Sequence, residues 1–156
     1  MTGFYYKDPN APEPTHPRRV GVAALIERDG ALLLDLRRDP PAWALVAGAM
    51  EDNESLTDAL AREVAEETGL VVSSYELFGT FSHPARIVQY ADGNSYQFIT
   101  IAYTVGIDDF SALRPSGEST DIRFVPKSEL RLLDVAATHR PIIDRYLSAG
   151  TPPYLD

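Results

Sequence analysis

The sequence predicts an α/β (α+β) domain in which a mixed β-sheet is covered by helices. Two observations support this class. Several short segments rich in apolar and β-branched residues are bounded by turn signals, and segments with helical periodicity lie between and after them. The length of 156 residues also suits one domain with a sizeable core and leaves little room for a second.

The first part of the chain is predicted to be an extended segment followed by a hairpin. Asp8–Arg19 contains four prolines and few aliphatic residues, so we expect no regular structure there. Val20–Glu27 and Ala31–Leu36 are apolar stretches separated by Arg28-Asp29-Gly30, which predicts two antiparallel strands. Trp43–Val46 is a short run typical of a further strand.

A helix is predicted at Leu56–Thr68. Ser55 is a good N-cap, Asp58 lies in the first turn, and Gly69 is a natural C-terminal stop.

The second half of the chain is predicted to contain strands and one closing helix, at Thr138–Leu147, with Pro141 in its first turn. A turn signal, Ala91-Asp92-Gly93-Asn94, predicts a second hairpin. The extended segments, in order, are Leu70–Phe81, Ile87–Tyr90, Tyr96–Val105 and, after a loop at Asp108–Thr120, Asp121–Val125.

The composition excludes several classes of function. There are no cysteines, which rules out disulfides, thiolate zinc sites and cysteine nucleophiles. Lys and Arg number 14 against 23 for Asp and Glu, a net charge of −9, and no basic cluster is present, so we expect no DNA binding. No apolar run could span a bilayer and no signal segment is visible, so we expect a cytoplasmic protein without membrane attachment. A phosphate-containing ligand would have to arrive with a cation.

Three glutamates on the predicted helix are the strongest candidates for a metal site. Glu63, Glu66 and Glu67 fall within an arc of about 100° that borders the apolar positions Leu60 and Val64. The alternative is a solvated outer face, but like charges at this spacing repel each other by about a few tenths of a kcal/mol when exposed. A hard divalent cation such as Mg²⁺ or Mn²⁺ would offset that repulsion and would suit phosphoryl chemistry.

The spacing around these glutamates resembles the complete 23-residue Nudix box. Gly48 is followed after five residues by Glu54 and after seven more by Arg62-Glu63-Val64-Ala65-Glu66-Glu67-Thr68-Gly69-Leu70. The resemblance extends over residues 18–148, and we therefore divide the chain into an extended N-terminal lead-in at 1–17, a Nudix hydrolase domain at 18–148 and a C-terminal tail at 149–156. It implies an α/β/α sandwich with a central mixed β-sheet.

The resemblance also implies a reaction. Members hydrolyse a diphosphate linkage in a nucleoside diphosphate derivative, such as an ADP-ribose-like nucleotide sugar or a nucleoside triphosphate, by metal-activated water. The substrate would be a small-molecule nucleotide and the cofactor Mg²⁺ or Mn²⁺. The alternative is a non-catalytic Nudix-like domain that binds a nucleotide as a sensor or regulator.

The family pattern assigns roles to the residues of the box. In similar enzymes the metal is held by the glutamates matching Glu63, Glu66 and Glu67 and by a backbone carbonyl near Gly48. The glutamate matching Glu63 serves in some members as the base or its anchor.

Arg62 would orient the carboxylate of Glu63, and Glu54 would brace Arg62 in a structural role. Two positions depart from the family pattern. Ala47 stands where many members have glycine, which adds a Cβ near the expected metal, and Asn53 replaces a common glycine but tolerates a left-handed backbone.

Residues outside the box are candidates for substrate contacts and catalysis. Arg37 resembles an arginine that contacts phosphates, and Glu118 lies in a loop that supplies a metal ligand or base in related enzymes, with Asp121 a weaker candidate. We also expect Arg86 to contact phosphate and Tyr96 to stack on a base, although a surface charge and sheet packing are the respective alternatives.

The remaining candidates lie near the start of the chain and among the histidines. The cluster Phe4-Tyr5-Tyr6 has two possible roles, packing against a second subunit in a homodimer or covering the pocket. His16 and His139 show no partner spacing, and we expect them to be structural or exposed.

Overall fold

The computed structural model describes residues 3–156. This part of the chain contains three helices and ten strands. The helices are α1 (Leu56–Thr68), α2 (Lys127–Leu130) and α3 (Arg140–Tyr146). The strands are β1 (Gly3–Tyr6), β2 (Arg19–Arg28), β3 (Ala31–Arg38), β4 (Pro41–Ala44), β5 (Val46–Ala49), β6 (Ser74–Phe81), β7 (Arg86–Gln89), β8 (Ser95–Gly106), β9 (Ser119–Pro126) and β10 (Tyr154–Leu155).

A parallel pair of strands lies at the centre of the sheet. β2 and β8 run parallel from Arg19↔Phe98 to Ile26↔Val105. Antiparallel neighbours flank them, since β5 pairs with β2 while β6 and β7 both pair with β8. The sheet is therefore mixed, which confirms the predicted fold class.

Both predicted hairpins are present, but the first one is short. Asp29 and Gly30 adopt positive φ angles of 51° and 75°, which suits a tight turn. Beyond the two pairs Glu27↔Leu32 and Arg28↔Ala31, β2 and β3 separate. β3 then pairs with β4 and β9, so it forms the middle of a second antiparallel group.

The two faces of the sheet bury separate apolar clusters because side chains alternate along β2 and β3. Leu25 and Leu34 belong to one cluster together with Ile142 and Ile143 of α3. On the other face, Ile26 and Leu33 belong to a cluster covered by α1, whose contributing residues are Ala59, Leu60 and Val64. Helices thus cover both faces of the sheet, as in an α/β/α sandwich.

Helix α1 has the predicted bounds and both predicted end signals. The Ser55 side chain accepts a hydrogen bond from the Asp58 N–H, and the Asp58 carboxylate accepts one from the Ser55 N–H, which forms a capping box. Gly69 ends the helix in the left-handed region with φ 76°. These local contacts place the glutamates of α1 at defined positions along the sheet.

Several elements differ from the prediction. The strand expected at Trp43–Val46 is divided into β4 and β5 at Leu45. β1 lies within the expected lead-in, of which residues 1 and 2 fall outside the described part of the chain, and β10 lies within the expected tail. Both are edge strands that depend on distant partners, because β1 pairs with β7 and β10 pairs with β6. No helix within residues 3–156 combines the length and apolar character needed to cross a bilayer.

Candidate functional site

A cavity of about 500 Å³ lies beside α1 and the strand that precedes it. It brings together residues from both ends of the chain. Those from β1, β2, β3 and β5 with the loop after it are Phe4, Arg19, Gly21, Val22, Arg37, Ala47, Gly48, Ala49 and Glu51. Those from α1 and the later part of the chain are Arg62, Glu63, Glu66, Glu67, Val88, Tyr90, Phe98, Thr100, Ser116, Glu118, Thr138 and His139.

Gly48 lies directly against the carboxylate of Glu63. A Cβ at this position would be only 2.0 Å from Glu63 Oε1, so no larger residue fits while Glu63 keeps its place. A Cβ at Gly21, on the neighbouring strand β2, would lie 2.7 Å from the Gly48 carbonyl oxygen. Two glycines therefore leave room for the predicted metal-binding groups, and the role of Gly21 was not predicted.

Ala47 is accommodated without disturbing the site. Its side chain packs against the apolar cluster on the α3 face of the sheet. Its backbone N–H donates to Glu67 Oε2 at 3.3 Å. Ala47 departs from the family pattern, but its backbone still supports Glu67 of α1. Asn53, the second departure, adopts φ 65°, as expected for a residue that tolerates the left-handed region.

Arg62 is the centre of an ion-pair network. Its Nε and Nη2 atoms donate to the two carboxylate oxygens of Glu54 at 2.5 and 3.0 Å, and Nη1 donates to Glu63 Oε1 at 2.8 Å. Nη2 also donates to the Ala49 carbonyl at 3.0 Å. The paired guanidinium lowers the pKa of Glu54 to about 2. The contacts expected of Glu54 and Arg62 are therefore present, and they tie α1 to β5 and the loop.

The glutamates of α1 differ in their surroundings. The side chain of Glu66 is 60% exposed, whereas that of Glu63 is only 12% exposed. Burial raises the pKa of Glu63, and burial together with the neighbouring Glu63 and Asp35 carboxylates raises the pKa of Glu67 well above its ordinary value. Burial and crowding thus favour the protonated forms of Glu63 and Glu67.

These carboxylates do not form a ready-made metal centre. Within residues 3–156 no three acidic or histidine side chains converge on one point. Glu63 contacts Arg62, and Glu67 accepts from the Ala47 N–H. The donor set nevertheless fits a hard divalent cation, because it consists of crowded carboxylate oxygens and a glycine whose missing Cβ lets Glu63 approach the backbone closely.

Asp35 is a buried carboxylate that the sequence analysis missed. It is 3% exposed on β3, and its Oδ1 atom has no hydrogen-bond partner among residues 3–156. Burial raises its pKa, while Ser119 and Arg37 lower it. The sequence signal was a lone acidic residue within the apolar run Leu32-Leu33-Leu34-Asp35-Leu36.

Arg37 and Glu118 both line the cavity, as expected. Arg37 Nη2 lies 4.0 Å from Glu118 Oε2, and the Arg37 guanidinium lies 5.4 Å from the centre of the Phe4 ring. The Glu118 side chain is 82% exposed and therefore free to meet a ligand.

Arg86 and Tyr96 are not among the cavity-lining residues. Arg86 is completely buried in β7, where Nη2 donates to Thr100 Oγ1 at 3.3 Å. Its Nε and Nη1 atoms have no hydrogen-bond partner in the described part of the chain. Burial lowers its pKa to about 10. Tyr96 stacks on His16 with ring centres 5.2 Å apart, and its neighbour Tyr90 lines the cavity instead. The structure therefore gives no support to substrate contacts by Arg86 or Tyr96.

Phe4 and His139 meet at the cavity wall. Their ring centres are 6.1 Å apart. Pairing of β1 with β7 sets Phe4 beside Val88, another lining residue. Of the two roles considered for the N-terminal aromatic cluster, covering the pocket fits Phe4. His139, expected to be structural or exposed, is part of the cavity.

Comparison with known proteins connects this site to a family. The model of the NUDIX domain matches residues 15–146. A nucleoside triphosphatase, NudI of Salmonella paratyphi B, is 35% identical over 133 residues, covering 79% of this chain and 92% of the relative. An ADP-ribose pyrophosphatase of Methanocaldococcus jannaschii is 30% identical over 135 residues, covering 85% of this chain and 74% of the relative. A low-salt glycan biosynthesis protein of Haloferax volcanii is 32% identical over 133 residues, covering 83% of this chain and 80% of the relative.

Solved structures agree. A NUDIX hydrolase from Nitrosomonas europaea has a TM-score of 0.71 at 25% identity, covering 90% of this chain and 78% of that one. The matched residues include the whole span from Gly48 to Leu70 that carries the glutamates. This chain belongs to the Nudix family and is a pyrophosphohydrolase.

Proposed function

We propose that this enzyme hydrolyses a diphosphate linkage in a nucleoside diphosphate derivative, either an ADP-ribose-like nucleotide sugar or a nucleoside triphosphate, with Mg²⁺ or Mn²⁺ as cofactor. The observation that carries the proposal is that five residues of the box line one cavity, namely Gly48, Arg62, Glu63, Glu66 and Glu67. Glu63 and Glu67 face it from α1, and the brace from Glu54 to Arg62 is intact. The names of the relatives from Salmonella and Methanocaldococcus support the two substrate classes.

The metal would be held by Glu63, Glu66 and Glu67 and by the Gly48 carbonyl, where it would neutralise phosphate charge and lower the pKa of a bound water. Other residues of the chain hold these ligands in position. Arg62 fixes the Glu63 carboxylate through a contact of 2.8 Å. The Ala47 N–H does the same for Glu67. Removal of either support would leave a ligand free to rotate.

Arg37 would bind substrate phosphate. Within the described residues its nearest acidic partner is Glu118, at the long distance of 4.0 Å. A weakly paired arginine on a cavity wall can donate to phosphate oxygens in a bidentate manner.

In the proposed reaction a carboxylate takes the proton of the attacking water as the bond from phosphorus to the bridging oxygen breaks. Glu63 and Glu118 are the two carboxylates that we propose for this task. Glu63 is only 12% exposed and already accepts a hydrogen bond from Arg62, whereas Glu118 is 82% exposed and lies 4.0 Å from Arg37. Comparing the pH dependence of kcat in Glu63→Gln and Glu118→Gln would identify the base, because its removal abolishes the acidic limb of the profile.

The function is tested by turnover of a substrate panel with Mg²⁺ or Mn²⁺. The panel contains nucleoside triphosphates, ADP-ribose and dinucleoside polyphosphates, and EDTA should abolish the activity. Glu67→Gln should lower kcat by at least 100-fold while the circular dichroism spectrum is unchanged. Glu129→Gln, at an exposed glutamate of α2, serves as the matched control.

Two results would contradict the proposal. The first is full activity of Glu67→Gln, which would remove the carboxylate site. The second is tight nucleotide binding by the wild-type chain without turnover of any substrate on the panel, which would favour the sensor alternative.

A further inference from the structure

The buried carboxylate of Asp35 has no role in the chemistry proposed above, yet it lies beside a residue that does. Side chains two residues apart along a strand point to the same face of the sheet, so Asp35 and Arg37 share one face of β3. Asp35 is 3% exposed, whereas Arg37 lines the cavity. The carboxylate is therefore the buried neighbour of the arginine that we propose to bind phosphate.

Ser119 is the third member of this group. The register between β3 and β9 shifts after Leu36, so that Arg37 pairs directly with Ser119. Residues opposite each other in an antiparallel pair have their side chains on one face, so Ser119 lies on the same face as Arg37 and Asp35. Ser119 is 5% exposed and its hydroxyl is 3.2 Å from that of Ser116. A buried polar group thus lies behind this part of the cavity wall.

Asp35 and Arg37 carry unpartnered atoms of opposite polarity. Among residues 3–156, Asp35 Oδ1 and Arg37 Nε are both enclosed and have no hydrogen-bond partner. Burial raises the pKa of Asp35, whereas hydrogen bonding by Ser119 and the charge of Arg37 lower it. Asp35 and Arg37 therefore attract each other in the interior, where the attraction between opposite charges is stronger than in water.

The outer end of Arg37 faces the cavity. Its Nη2 atom lies 4.0 Å from the exposed carboxylate of Glu118, and the guanidinium lies 5.4 Å from the centre of the Phe4 ring. A guanidinium binds phosphate well when its planar group of donors has a fixed orientation. An attraction that keeps Nε turned inward leaves the terminal nitrogen atoms for a ligand.

Two other effects of the same carboxylate can be separated from this one. A negative charge near the phosphate groups would repel them, so removal of a carboxylate that acted only in this way would strengthen phosphate binding. Asp35 also raises the pKa of Glu67, one of the proposed metal ligands. Removal of a carboxylate that acted through Glu67 would change binding whether or not Arg37 is present.

We propose that Asp35 is a positioning residue whose carboxylate holds the inner end of Arg37, so that the terminal nitrogen atoms of the guanidinium meet the phosphate groups of the substrate. Asp35 has this role only if Arg37 binds phosphate as in the proposed function. It is not a catalytic residue, because it is not among the residues that line the cavity. Its loss should affect the binding of phosphate groups and not the chemical step.

Binding of methylenediphosphonate, measured by calorimetry with Mg²⁺ present, tests this role without turnover. The probe resembles a diphosphate but has carbon in place of the bridging oxygen, so it is not hydrolysed. Asp35→Asn keeps the shape and an acceptor but removes the charge, and it should weaken binding by about fivefold. Asp35→Val removes the acceptor too and should weaken binding by about tenfold or more. Asp108→Asn, at an exposed aspartate outside the cavity, is the matched control and should bind like the wild type.

A second substitution identifies the residue through which Asp35 acts. In an Arg37→Gln background, Asp35→Asn should change the affinity for the probe by less than about twofold, because the guanidinium that it positions is absent. In turnover of the preferred substrate of the panel, Asp35→Asn should raise KM by about fivefold and leave kcat within about twofold. Its Tm should equal or exceed that of the wild type, because the neutral amide removes a buried charge next to Glu67.

Five results would overturn the proposal. Unchanged or tighter binding of the probe in Asp35→Asn would leave only a repelling charge, and an equal loss in the Arg37→Gln background would assign the effect to the metal ligands. A fall in kcat with unchanged KM would exclude a role in binding. Unfolding of both Asp35 variants at the assay temperature would make Asp35 a structural residue, and a wild-type chain that does not bind the probe would leave Arg37 without a phosphate to contact.

Failure of the proposed function would have a different signature. It would appear as full activity of Glu67→Gln, or as no turnover of any substrate on the panel, while the probe still binds in a manner that depends on Asp35 and Arg37. The two failures are therefore distinguishable.

Discussion

A single methyl group added at Gly48 should damage the site more than almost any other small change. The Cβ of Gly48→Ala would lie 2.0 Å from Glu63 Oε1 and 2.1 Å from Glu63 Cδ, separations that folded proteins do not tolerate. Glu63 cannot simply move away, because its side chain is only 12% exposed and contacts Arg62 at 2.8 Å. Either the carboxylate leaves its position or β5 moves away from α1.

Both responses have a predictable size. Overpacking of this kind typically costs about 1–3 kcal/mol of unfolding free energy. At roughly 2–4 °C per kcal/mol for a chain of this length, Tm should fall by about 2–12 °C. A displacement of the Glu63 carboxylate by roughly 1 Å should lower kcat by about 100-fold. The loss of activity should therefore be larger than the unfolded fraction of the protein at the assay temperature can explain.

The assays are thermal unfolding and steady-state turnover, with two controls. Gly117→Ala is the matched substitution, because a Cβ at Gly117 would meet no atom within 4 Å, and it should leave Tm unchanged. When Glu63 is also replaced by alanine, the carboxylate that would clash is absent, so Gly48→Ala should then cost little stability. An undiminished cost in that background would refute the steric argument, as would wild-type kcat in Gly48→Ala.

Three further predictions concern charge. The pKa of Glu54 is about 2 in the folded chain against an ordinary 4.5, so its pairing with Arg62 stabilises the fold above pH 4.5 and the benefit should disappear as pH falls from 4.5 to 2. The stability difference between wild type and Glu54→Gln across that range is the measurement, and a constant difference would contradict it. His139 has a folded pKa of about 3 against 6.5, so the unfolded chain binds more protons between these values and stability should decrease as pH falls through that window. The decrease should be smaller in His139→Asn, and equal slopes would exclude His139 as its source. Arg86→Met should leave Tm unchanged or higher, because it removes a buried charge with two unpartnered nitrogens, and should leave KM within about twofold; a large rise in KM would restore Arg86 as a substrate contact.

Local signals were enough to predict the bounds of α1. Ser55, Asp58 and Gly69 act within a few residues of the helix ends, so its bounds could be derived from the sequence alone. The predicted contact between Arg62 and Glu54 also lies within the box. This part of the site could be predicted because its residues lie close together in the sequence, on one helix and on the loop before it.

The rest of the cavity depends on pairing between distant strands, which spacing does not reveal. Phe4 reaches the site because β1 pairs with β7, and His139 because its ring accepts the Leu45 N–H. Arg86 was predicted to contact substrate but is buried. Its position in the sequence did not indicate which side of the sheet its side chain would occupy. Side-chain direction on a short strand changes with a shift of one residue in register.

The parallel pairing of β2 with β8 has a consequence for how this enzyme responds to its ligands. Gly21 and Val22 lie on one of these strands and Phe98 and Thr100 on the other, so the cavity exists only when strands far apart in the sequence have joined. A partly folded chain that contained α1 alone would have glutamates but no pocket. Ligand binding is therefore coupled to complete folding, and a nucleotide at 100 times its Kd should protect the entire domain by about 2.7 kcal/mol. Amide hydrogen exchange in β2 and β8, and not only near the cavity, should slow accordingly.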